Sequence, residues 1–384
     1  MAGMRSSWLG CLAFLPLLVA CSGPDPVDDR GTDAPAGSRA LEPGSNGGDG
    51  TSPGATPGAN PSQPGATGAA CVAQPACNGT SAPELAPTRS FDHYLSSATA
   101  ASGPAFHRGR DQILSAGDPQ WVIGKMTYTY VDKDLLDEDV DIFVERSCAG
   151  SWEKLGSART TDNSGAHASV EGVDDDGGRV FFEIPKEKQL AIGRHRIRLV
   201  VAADQTFTDL TIDVLPKGSP IVVSDVDGTL TDSDTAVYPA LLTGSLPVAQ
   251  PRAADTLSAL AAKGYHVVYL TARPEWLTGR TRDFLKASGF PPGVVRTTTG
   301  ETGALGAFAT TFKSNALALL QGHGLTIQWA FSNQITDTDA FETAKINPLD
   351  HRVFLRQDDP HGGRRIEAYS EILPAITALP ATCK

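Results

Sequence analysis

Two carboxylates that directly follow a strongly apolar run are the residues of this 384-residue chain best suited to do chemistry. Residues 220–224 have the composition of a buried strand, and Asp225 and Asp227 come at its end, with Gly228 beside them to allow a tight turn. One carboxylate can attack a phosphorus atom while the other manages the proton. The pattern therefore predicts a centre for phosphoryl transfer.

Three later residues have side chains that suit the same chemistry. Thr271 ends a second predicted strand, and Lys313 lies in a predicted helix. A hydroxyl and a cation are the groups that hold phosphoryl oxygens. Asp337 follows a further strand and can complete a magnesium site, since hard cations prefer carboxylate oxygens.

Strands alternate with helices throughout residues 217–384. Besides the strand at 220–224, strands are predicted over 265–271, 294–297, 326–331 and 352–355, and helices over 252–263, 275–288 and 305–321. This alternation predicts an α/β domain with a parallel sheet and helices on both faces. Its site is expected at the carboxyl ends of the strands, where Asp225 and Thr271 fall.

The order of these motifs resembles that of the haloacid dehalogenase (HAD) superfamily of phosphatases. Residues 225–229 read Asp-x-Asp-Gly-Thr, the first motif of that family, and Thr271 and Lys313 match the second and third. The fourth motif, which is acidic, matches a segment in which Asn333 stands where many members have Asp, and Asp337 is the acidic residue.

Within the superfamily, residues 223–234 look like the signature of the lipin-type domain. That domain occurs in phosphatidate phosphatases and in some phosphatidylinositol transfer proteins. The likeness covers roughly residues 220–373. It implies an HAD-like Rossmannoid fold and a Mg²⁺-dependent phosphomonoester hydrolase.

The resemblance also assigns roles to individual residues. Asp225 is the nucleophile that forms an aspartyl-phosphate, and Asp227 is the general acid and then the base. The phosphate-binding residues that it implies are Thr271, Ala272 and Lys313. The metal ligands that it implies are Asp225, Asp227 through its backbone carbonyl, Asn333 and Asp337.

The lengths of chain between the motifs bear on the size of the substrate. Ordinary βα units account for most of the chain between Asp227 and Thr271 and between Thr271 and Lys313, so a nearly capless, open site is expected. An open site suits a bulky substrate, and the lipin likeness points to phosphatidate. Two alternatives remain: a non-catalytic phosphatidate-binding module, and a phosphatase for soluble monoesters or phosphoproteins.

Charge and motif content exclude several other classes. The formal net charge of −12 argues against a nucleic-acid partner. There is no His-Glu-x-x-His, Gly-x-Ser-x-Gly or P-loop sequence, so neither a zinc protease, an α/β-hydrolase nor a P-loop enzyme is indicated. No polybasic segment favours anionic lipid, and the acidic and basic residues of 217–384 are nearly balanced.

A β-sandwich is predicted over residues 88–216. The β-forming runs are 121–130, 140–144, 180–184 and 196–201, separated by turn sequences such as 163–165 and 174–178. The acidic runs at 132–139 and 174–176 lack the spacing of an EF-hand and are read as turns. No catalytic constellation is visible in this domain.

The beginning of the chain predicts export and membrane anchoring. Residues 1–21 read as a signal peptide whose ending resembles the lipobox of bacterial lipoproteins, so Cys21 is expected to carry lipid. An ordinary signal peptide cleaved near Ala20 is the alternative. Residues 22–87 are rich in Gly, Pro, Ala and Ser and are expected to be a disordered tether. The expected location is the bacterial cell envelope, at the periplasmic face or the outer membrane.

Four cysteines remain for disulfides in an exported protein, namely Cys71, Cys77, Cys148 and Cys383. Four cysteines allow three pairings, and sequence cannot choose among them. The close spacing of Cys71 and Cys77 favours a local loop, which would leave Cys148 to pair with Cys383.

A group of basic residues follows Thr271. Arg273, Arg280, Arg282 and Lys286 can form a basic helix face near the site, or belong to a solvated helix balanced by Glu275 and Asp283. Both interpretations stay open at this point.

Overall fold

The computed structural model describes residues 71, 73–129, 131–235 and 244–383. The predicted signal peptide with Cys21 and most of the predicted tether lie outside the described residues. Within the described ranges, no helix is long and apolar enough to cross a membrane.

The first folded domain is a β-sandwich. It follows helix α1 (Tyr94–Ala101), and its strands are β1 (Arg108–Arg110), β2 (Gln112–Ser115), β3 (Trp121–Lys125), β4 (Thr127–Tyr128), β5 (Lys133–Asp134), β6 (Asp139–Glu145), β7 (Trp152–Arg159), β8 (Arg179–Glu183), β9 (Gly193–Val201) and β10 (Phe207–Leu215). One sheet has the order β2-β10-β9-β6-β7, another has the order β1-β3-β8, and β4 pairs with β5. Side chains that alternate along β6 and β9, such as Val140, Ile142, Ile197 and Leu199, fill its core.

The second folded domain is α/β. Its strands are β11 (Pro220–Ser224), β12 (His266–Pro274), β13 (Gly293–Thr298), β14 (Thr326–Ser332), β15 (Arg352–Leu355) and β16 (Arg364–Ile366). Its helices are α2 (Ala253–Ala262), α3 (Thr278–Ala287), α4 (Ala307–Gly322), α5 (Ile335–Thr343) and α6 (Leu373–Thr377). The sheet has the order β13-β12-β11-β14-β15-β16, and each of its strand pairs is parallel.

Helices cover both faces of this sheet. On the central strand β11, Ile221 and Val223 share a buried cluster with Leu317 of α4. Val222 points to the other face, into a cluster that includes Leu257 of α2. The predicted fold class, a β-sandwich followed by an HAD-like Rossmannoid domain, is confirmed. All strands of the parallel sheet end at one edge, so the loops after β11, β12 and β14 lie close together.

The two domains pack directly on each other. Ile113 of β2 and Leu215 of β10 belong to the same buried cluster as Ile221. Arg296 of β13 donates from Nη2 to Oε1 of Gln112 over 2.9 Å. The sandwich is therefore joined to the α/β domain through apolar and polar contacts, beyond the short connection from β10 to β11.

The disulfides differ from the pairing that the spacing favoured. Cys71 pairs with Cys383, with 5.6 Å between their Cα atoms, and Cys77 pairs with Cys148. The local Cys71–Cys77 loop is wrong because residues 73–87 form a strap without regular secondary structure that contacts both domains. Ser81 accepts a hydrogen bond from Nε1 of Trp152 in the sandwich, and Thr382, next to Cys383, donates to the carbonyl of Lys263.

A histidine at the domain interface gives stability a specific pH dependence. His323 of the α/β domain lies 2.8 Å from Oδ2 of Asp118 and 3.0 Å from Oε2 of Glu171, both in the sandwich. Burial lowers the pKa of His323, but the hydrogen bonds and charges of Glu171 and Asp118 outweigh it, so the pKa lies above its ordinary value of 6.5. This histidine stabilises the fold fully below pH 6.5, and the contribution is lost as pH rises through the raised pKa.

We expect the free energy of unfolding of the His323→Gln variant to depend less on pH than that of the parent. Urea unfolding of both proteins from about pH 5.5 to about pH 8.5 measures this, since that range spans the titration of histidine. The gap between them should be largest at the acid end and shrink toward the alkaline end. His361→Gln, at an exposed histidine, is the control. A constant gap would contradict this assignment.

Candidate active site

The residues predicted from sequence meet at the carboxyl edge of the parallel sheet. Asp225 follows β11, where its amide donates to the carbonyl of Phe331 on β14 over 2.9 Å. Thr271 lies in β12, Lys313 in α4 and Asp337 in the first turn of α5. All four of these side chains are buried, whereas Asp227 is partly exposed.

Lys313 joins two of the carboxylates. Its Nζ lies 2.8 Å from Oδ1 of Asp225 and 2.6 Å from Oδ2 of Asp337. Burial raises the pKa of Asp225 to about 7, with Asp337 and Asp227 adding to the rise and Lys313 opposing it. Burial lowers the pKa of Lys313, but the two carboxylates outweigh it and the net shift is upward, so the lysine is charged.

Oxygen atoms around this lysine fit a hard divalent cation. Oδ1 of Asp337 is buried and has no hydrogen-bond partner, although such atoms are rarely left unsatisfied. Thr229 Oγ1 lies 3.2 Å from Oδ2 of Asp225 and 2.9 Å from Oδ1 of Asn333. No three His, Cys, Asp or Glu side chains among the described residues form a metal site by themselves. Magnesium commonly takes one or two carboxylates and completes its shell with water and substrate oxygens, so this is compatible with the oxygens present.

Asp227 is held by Arg273, a cation that the sequence left open between a basic helix face near the site and a solvated helix. Arg273 donates from Nε and Nη2 to Oδ1 of Asp227 over 3.1 and 2.7 Å, and its Nη1 donates to Thr281 over 2.9 Å. Thr271, expected to bind phosphate, donates from Oγ1 to Oδ2 of Asp227 over 3.1 Å. Ala272 lies between these two residues, and its carbonyl accepts a hydrogen bond from the amide of Ala304. The structure thus gives Asp227 a fixed direction.

The predicted basic face on α3 does not form. Arg273 lies in β12 and turns to Asp227, whereas Arg282 pairs with Asp111 of the sandwich over 2.7 Å. Lys286 is exposed and lines a cavity of about 400 Å³ between the domains, away from the carboxyl edge of the sheet. The alternative, a solvated helix whose basic residues are balanced by Glu275, is also wrong. Glu275 is buried and pairs with arginines of the sandwich.

Gly228 is needed for the turn that presents the two carboxylates. Its φ is +69°, and a Cβ atom there would lie 1.9 Å from Oδ1 of Asp234 and 2.3 Å from Nδ2 of Asn333. These two side chains are hydrogen-bonded to each other over 2.6 Å. Asp234 and Thr229 therefore join the site, and their place in the run after Asp227 was the signal for them.

Both folded domains are similar to domains of one known family. Residues 222–355 match the model described as PITM 1-3, LNS2 domain, and residues 105–214 match the one described as PITM 1-3, beta-sandwich domain. The C-terminal domain is therefore similar to LNS2 domains. Its fold is that of HAD phosphatases, as its sequence predicted, and it follows a sandwich that matches the same family.

Individual relatives match shorter parts of their own length. Membrane-associated phosphatidylinositol transfer protein 1 of Rattus norvegicus is 30% identical over 191 residues, 49% of this chain and 14% of that protein. Membrane-associated phosphatidylinositol transfer protein 2 of Homo sapiens is 32% identical over 193 residues, 50% of this chain and 13% of that protein. Protein retinal degeneration B of Drosophila melanogaster is 29% identical over 232 residues, which are 60% of this chain and 16% of that protein. The match spans less than a fifth of each relative.

Solved structures add little to this assignment. A chain described as the Pnkp1/Rnl/Hen1 complex aligns over 42% of this chain and 50% of its own, at 17% identity and a TM-score of 0.26. A likeness of this size carries no argument about function.

The charge balance of the site predicts the effect of removing its lysine. Lys313→Met leaves Asp225 and Asp337 buried without a countercharge, so we expect the free energy of unfolding to fall by about 3 kcal/mol. The loss should grow with pH, because a lone buried Asp225 is tolerated only when protonated. Urea unfolding in the presence of a chelator measures it. Lys286→Met, at an exposed lysine, should change the free energy of unfolding by less than about 0.5 kcal/mol. An equal loss of stability in the two variants would contradict the role of Lys313 as the countercharge.

Proposed function

We propose that the LNS2-type domain hydrolyses phosphomonoesters with the help of Mg²⁺, and that its substrate is phosphatidate or a similar phospholipid headgroup. The observation that carries the proposal is the carboxyl edge of the sheet. There Asp225 lies beside Lys313, and Asp227 is fixed by Arg273. A nucleophile, a second carboxylate and a buried cation at one edge of the sheet are the parts that phosphoryl transfer requires.

The residues divide the work in two steps. A carboxylate oxygen of Asp225 attacks phosphorus, the ester oxygen leaves, and Asp227 gives it a proton. Asp227 then takes a proton from water, which attacks the aspartyl-phosphate and frees Asp225. Arg273 and Thr271 hold Asp227 in the direction that both steps need. Lys313, Thr271 and the backbone at Ala272 are assigned to the phosphoryl oxygens, where charge develops.

Mg²⁺ would be held by Asp225, Asp337, Asn333 and the backbone carbonyl of Asp227. When bound, it offsets the repulsion between an anionic nucleophile and an anionic phosphate. The unpartnered Oδ1 of Asp337 supports this assignment.

The substrate class rests on a band of exposed apolar side chains around the site. Except for Leu349, the large apolar residues that are exposed in the described part of this domain lie on loops or helix starts at the carboxyl edge. We call this band the apolar rim, and its members are Leu246, Val248, Trp276, Leu305, Phe308 and Ile335. Leu305 and Phe308 are each 81% exposed. Exposed apolar groups gathered in one region are typical of interaction surfaces.

Hydrogen bonds connect the segments of the apolar rim to one another. Arg280 donates to the carbonyl of Ser245, next to Leu246, and Trp276 donates from Nε1 to the carbonyl of Glu301 over 2.8 Å. Thr310, in the first turn of α4, donates to the carbonyl of Thr336 over 3.3 Å. The rim therefore follows a continuous arc past the ends of β11, β12, β13 and β14.

An arc of this kind suits contact with a bilayer. Its leucine, phenylalanine and tryptophan side chains can enter the region between headgroups and acyl chains, which brings a lipid phosphate to Asp225. The exposed charges near the rim include Asp232, Asp234 and Glu301, so attraction to anionic lipid is not the source of binding. The names of the relatives, which include "membrane-associated" and "phosphatidylinositol transfer", support a phospholipid. Lipid at Cys21 would hold the domain near the membrane of a bacterial envelope.

The second candidate is a module that binds phosphatidate without hydrolysing it. Asn333 in place of a second acidic ligand favours this alternative, as does the Arg273 pair on Asp227. A phosphatase for soluble monoesters is the third, and the same assays separate all three.

We expect the full chain to release phosphate from phosphatidate vesicles in the presence of Mg²⁺, and Asp225→Asn to lower turnover by about 100-fold or more, because it removes the nucleophile. Asp339→Asn, at an exposed carboxylate on the same helix as Asp337, is the control and should keep turnover within about twofold. Vesicle binding without turnover would favour the binding module. Turnover of a small aryl phosphate alone would keep the chemistry and reject the lipid, and an active Asp225→Asn would reject the mechanism.

The apolar rim predicts a change in substrate preference. Leu305→Ser with Phe308→Ser should lower the ratio of vesicle to aryl phosphate turnover by about tenfold, since less apolar area enters the interface. Leu349→Ser, outside the rim, should leave the ratio unchanged. Vesicle binding by the parent should also vary little with salt. A ratio equal in both variants would contradict the role of the rim.

A further inference from the structure

A buried carboxylate that the proposed chemistry does not use joins the sandwich to the active site. Glu275 begins a single 3₁₀ turn, Glu275–Leu277, directly after β12, and it is only 6% exposed. Its Oε1 lies 3.1 Å from Nε of Arg108 on β1, and its Oε2 lies 2.9 Å from Nη1 of Arg179 on β8. Both arginines belong to the three-stranded sheet of the sandwich.

The two arginines are themselves held in place. Nη1 of Arg108 lies 2.6 Å from Oδ1 of Asp132, and Nε of Arg179 lies 2.6 Å from Oδ1 of Asp176. All the side chains that Glu275 pairs with are therefore fixed by the sandwich, and the sandwich sets where Glu275 lies.

A third arginine of the same sheet reaches the neighbouring strand. Arg110 of β1 donates from Nη1 to the carbonyl of Thr297 on β13 over 3.1 Å. Thr298, the next residue, donates from Oγ1 to the carbonyl of Arg273 over 3.2 Å. The sandwich thus contacts the ends of both β12 and β13, where these strands approach the active site.

The chain that connects Glu275 to the active site is short and closely packed. Arg273 is two residues before Glu275, with Pro274 between them. A Cβ atom on Gly303 would lie 2.6 Å from the carbonyl oxygen of Ala272, so the backbone on the other side is packed closely against this segment. A shift of Glu275 must move Arg273, whose guanidinium contacts both oxygens of Asp227.

We propose that Glu275 is a positioning residue through which the β-sandwich fixes Arg273, and through it Asp227, in the working geometry. The inference rests on the proposed function for its kinetic consequence, but the structural coupling from the sandwich to residues 271–277 can be measured without turnover. The sandwich then takes part in the active site although it supplies no group that touches the substrate.

A purely structural ion pair would behave differently, and the same interface contains one for comparison. Asp111 is a buried carboxylate of the sandwich that accepts from Nη2 of Arg282 over 2.7 Å and from the amide of Val295 over 3.0 Å. Neither of these partners has a hydrogen bond to Asp225 or Asp227 among those of the described residues. Asp111→Asn therefore matches Glu275→Gln in chemistry and in burial, but it lies away from Arg273.

The experiment compares both variants with the parent in the full chain. For Glu275→Gln we expect kcat on phosphatidate vesicles to fall by about tenfold with KM within about twofold, because misplacement by less than an ångström slows a reaction without weakening binding. Hydrogen exchange of the backbone amides of residues 271–277 should be faster. For Asp111→Asn we expect kcat within about twofold of the parent and unchanged exchange in that segment.

The outcomes distinguish a positioning role of Glu275 from a purely structural ion pair. Equal losses of kcat in the two variants, or unchanged exchange at 271–277 in Glu275→Gln, would overturn the positioning role. If the parent shows no turnover, the proposed hydrolase fails, and hydrogen exchange alone decides whether the sandwich fixes the segment. Should Glu275→Gln not fold, Arg108→Gln replaces it, since Asp132 is partly exposed and Arg179 still pairs with Glu275. It should show the same pattern with a smaller loss.

Discussion

The buried contact of Lys313 with Asp225 and Asp337 is the interaction on which the site depends. Three charged groups with almost no exposure are tolerated only because the cation lies between the two anions. They come from three separate elements, the end of β11, the middle of α4 and the start of α5. The contact therefore requires those elements to be fully packed, and it ties the electrostatics of the site to the core beneath it.

The sequence predicted most of the elements that carry strong periodicity, but it missed β10, in which Leu210, Ile212 and Val214 alternate as buried residues. The buried strand before Asp225 and the helix that carries Lys313 are both present. Strand β7 was not predicted because its side chains are mostly exposed and polar, and helix α5 was not predicted because residues of the acidic motif fill it. A long apolar run can be recognised from the local sequence, whereas an exposed edge strand forms because it pairs with its neighbour in the sheet.

The active site was predicted by residue type but only partly by contact. Sequence order placed Asp225, Lys313 and Asp337 together, since motif spacing and strand ends are local properties. It left Arg273 open between a basic helix face near the site and a solvated helix, because nothing in a single sequence shows which of four nearby cations faces a carboxylate. The disulfide pairing was predicted wrongly for the same reason. Cys71 and Cys383 are far apart in the chain, and only the path of the strap brings them together.

That strap has a mechanical consequence. Tension applied through the residues before Cys71 reaches the described part of the chain at a cross-link, and the next disulfide, Cys77 to Cys148, follows a few residues later. Each cross-link leads into a different domain, so the load divides between the sandwich and the carboxyl end of the chain. Covalent bonds bear it before any strand can peel from its sheet. A pull on that end of the chain would thus act on both domains together and leave the loops after β11 and β14 undisturbed.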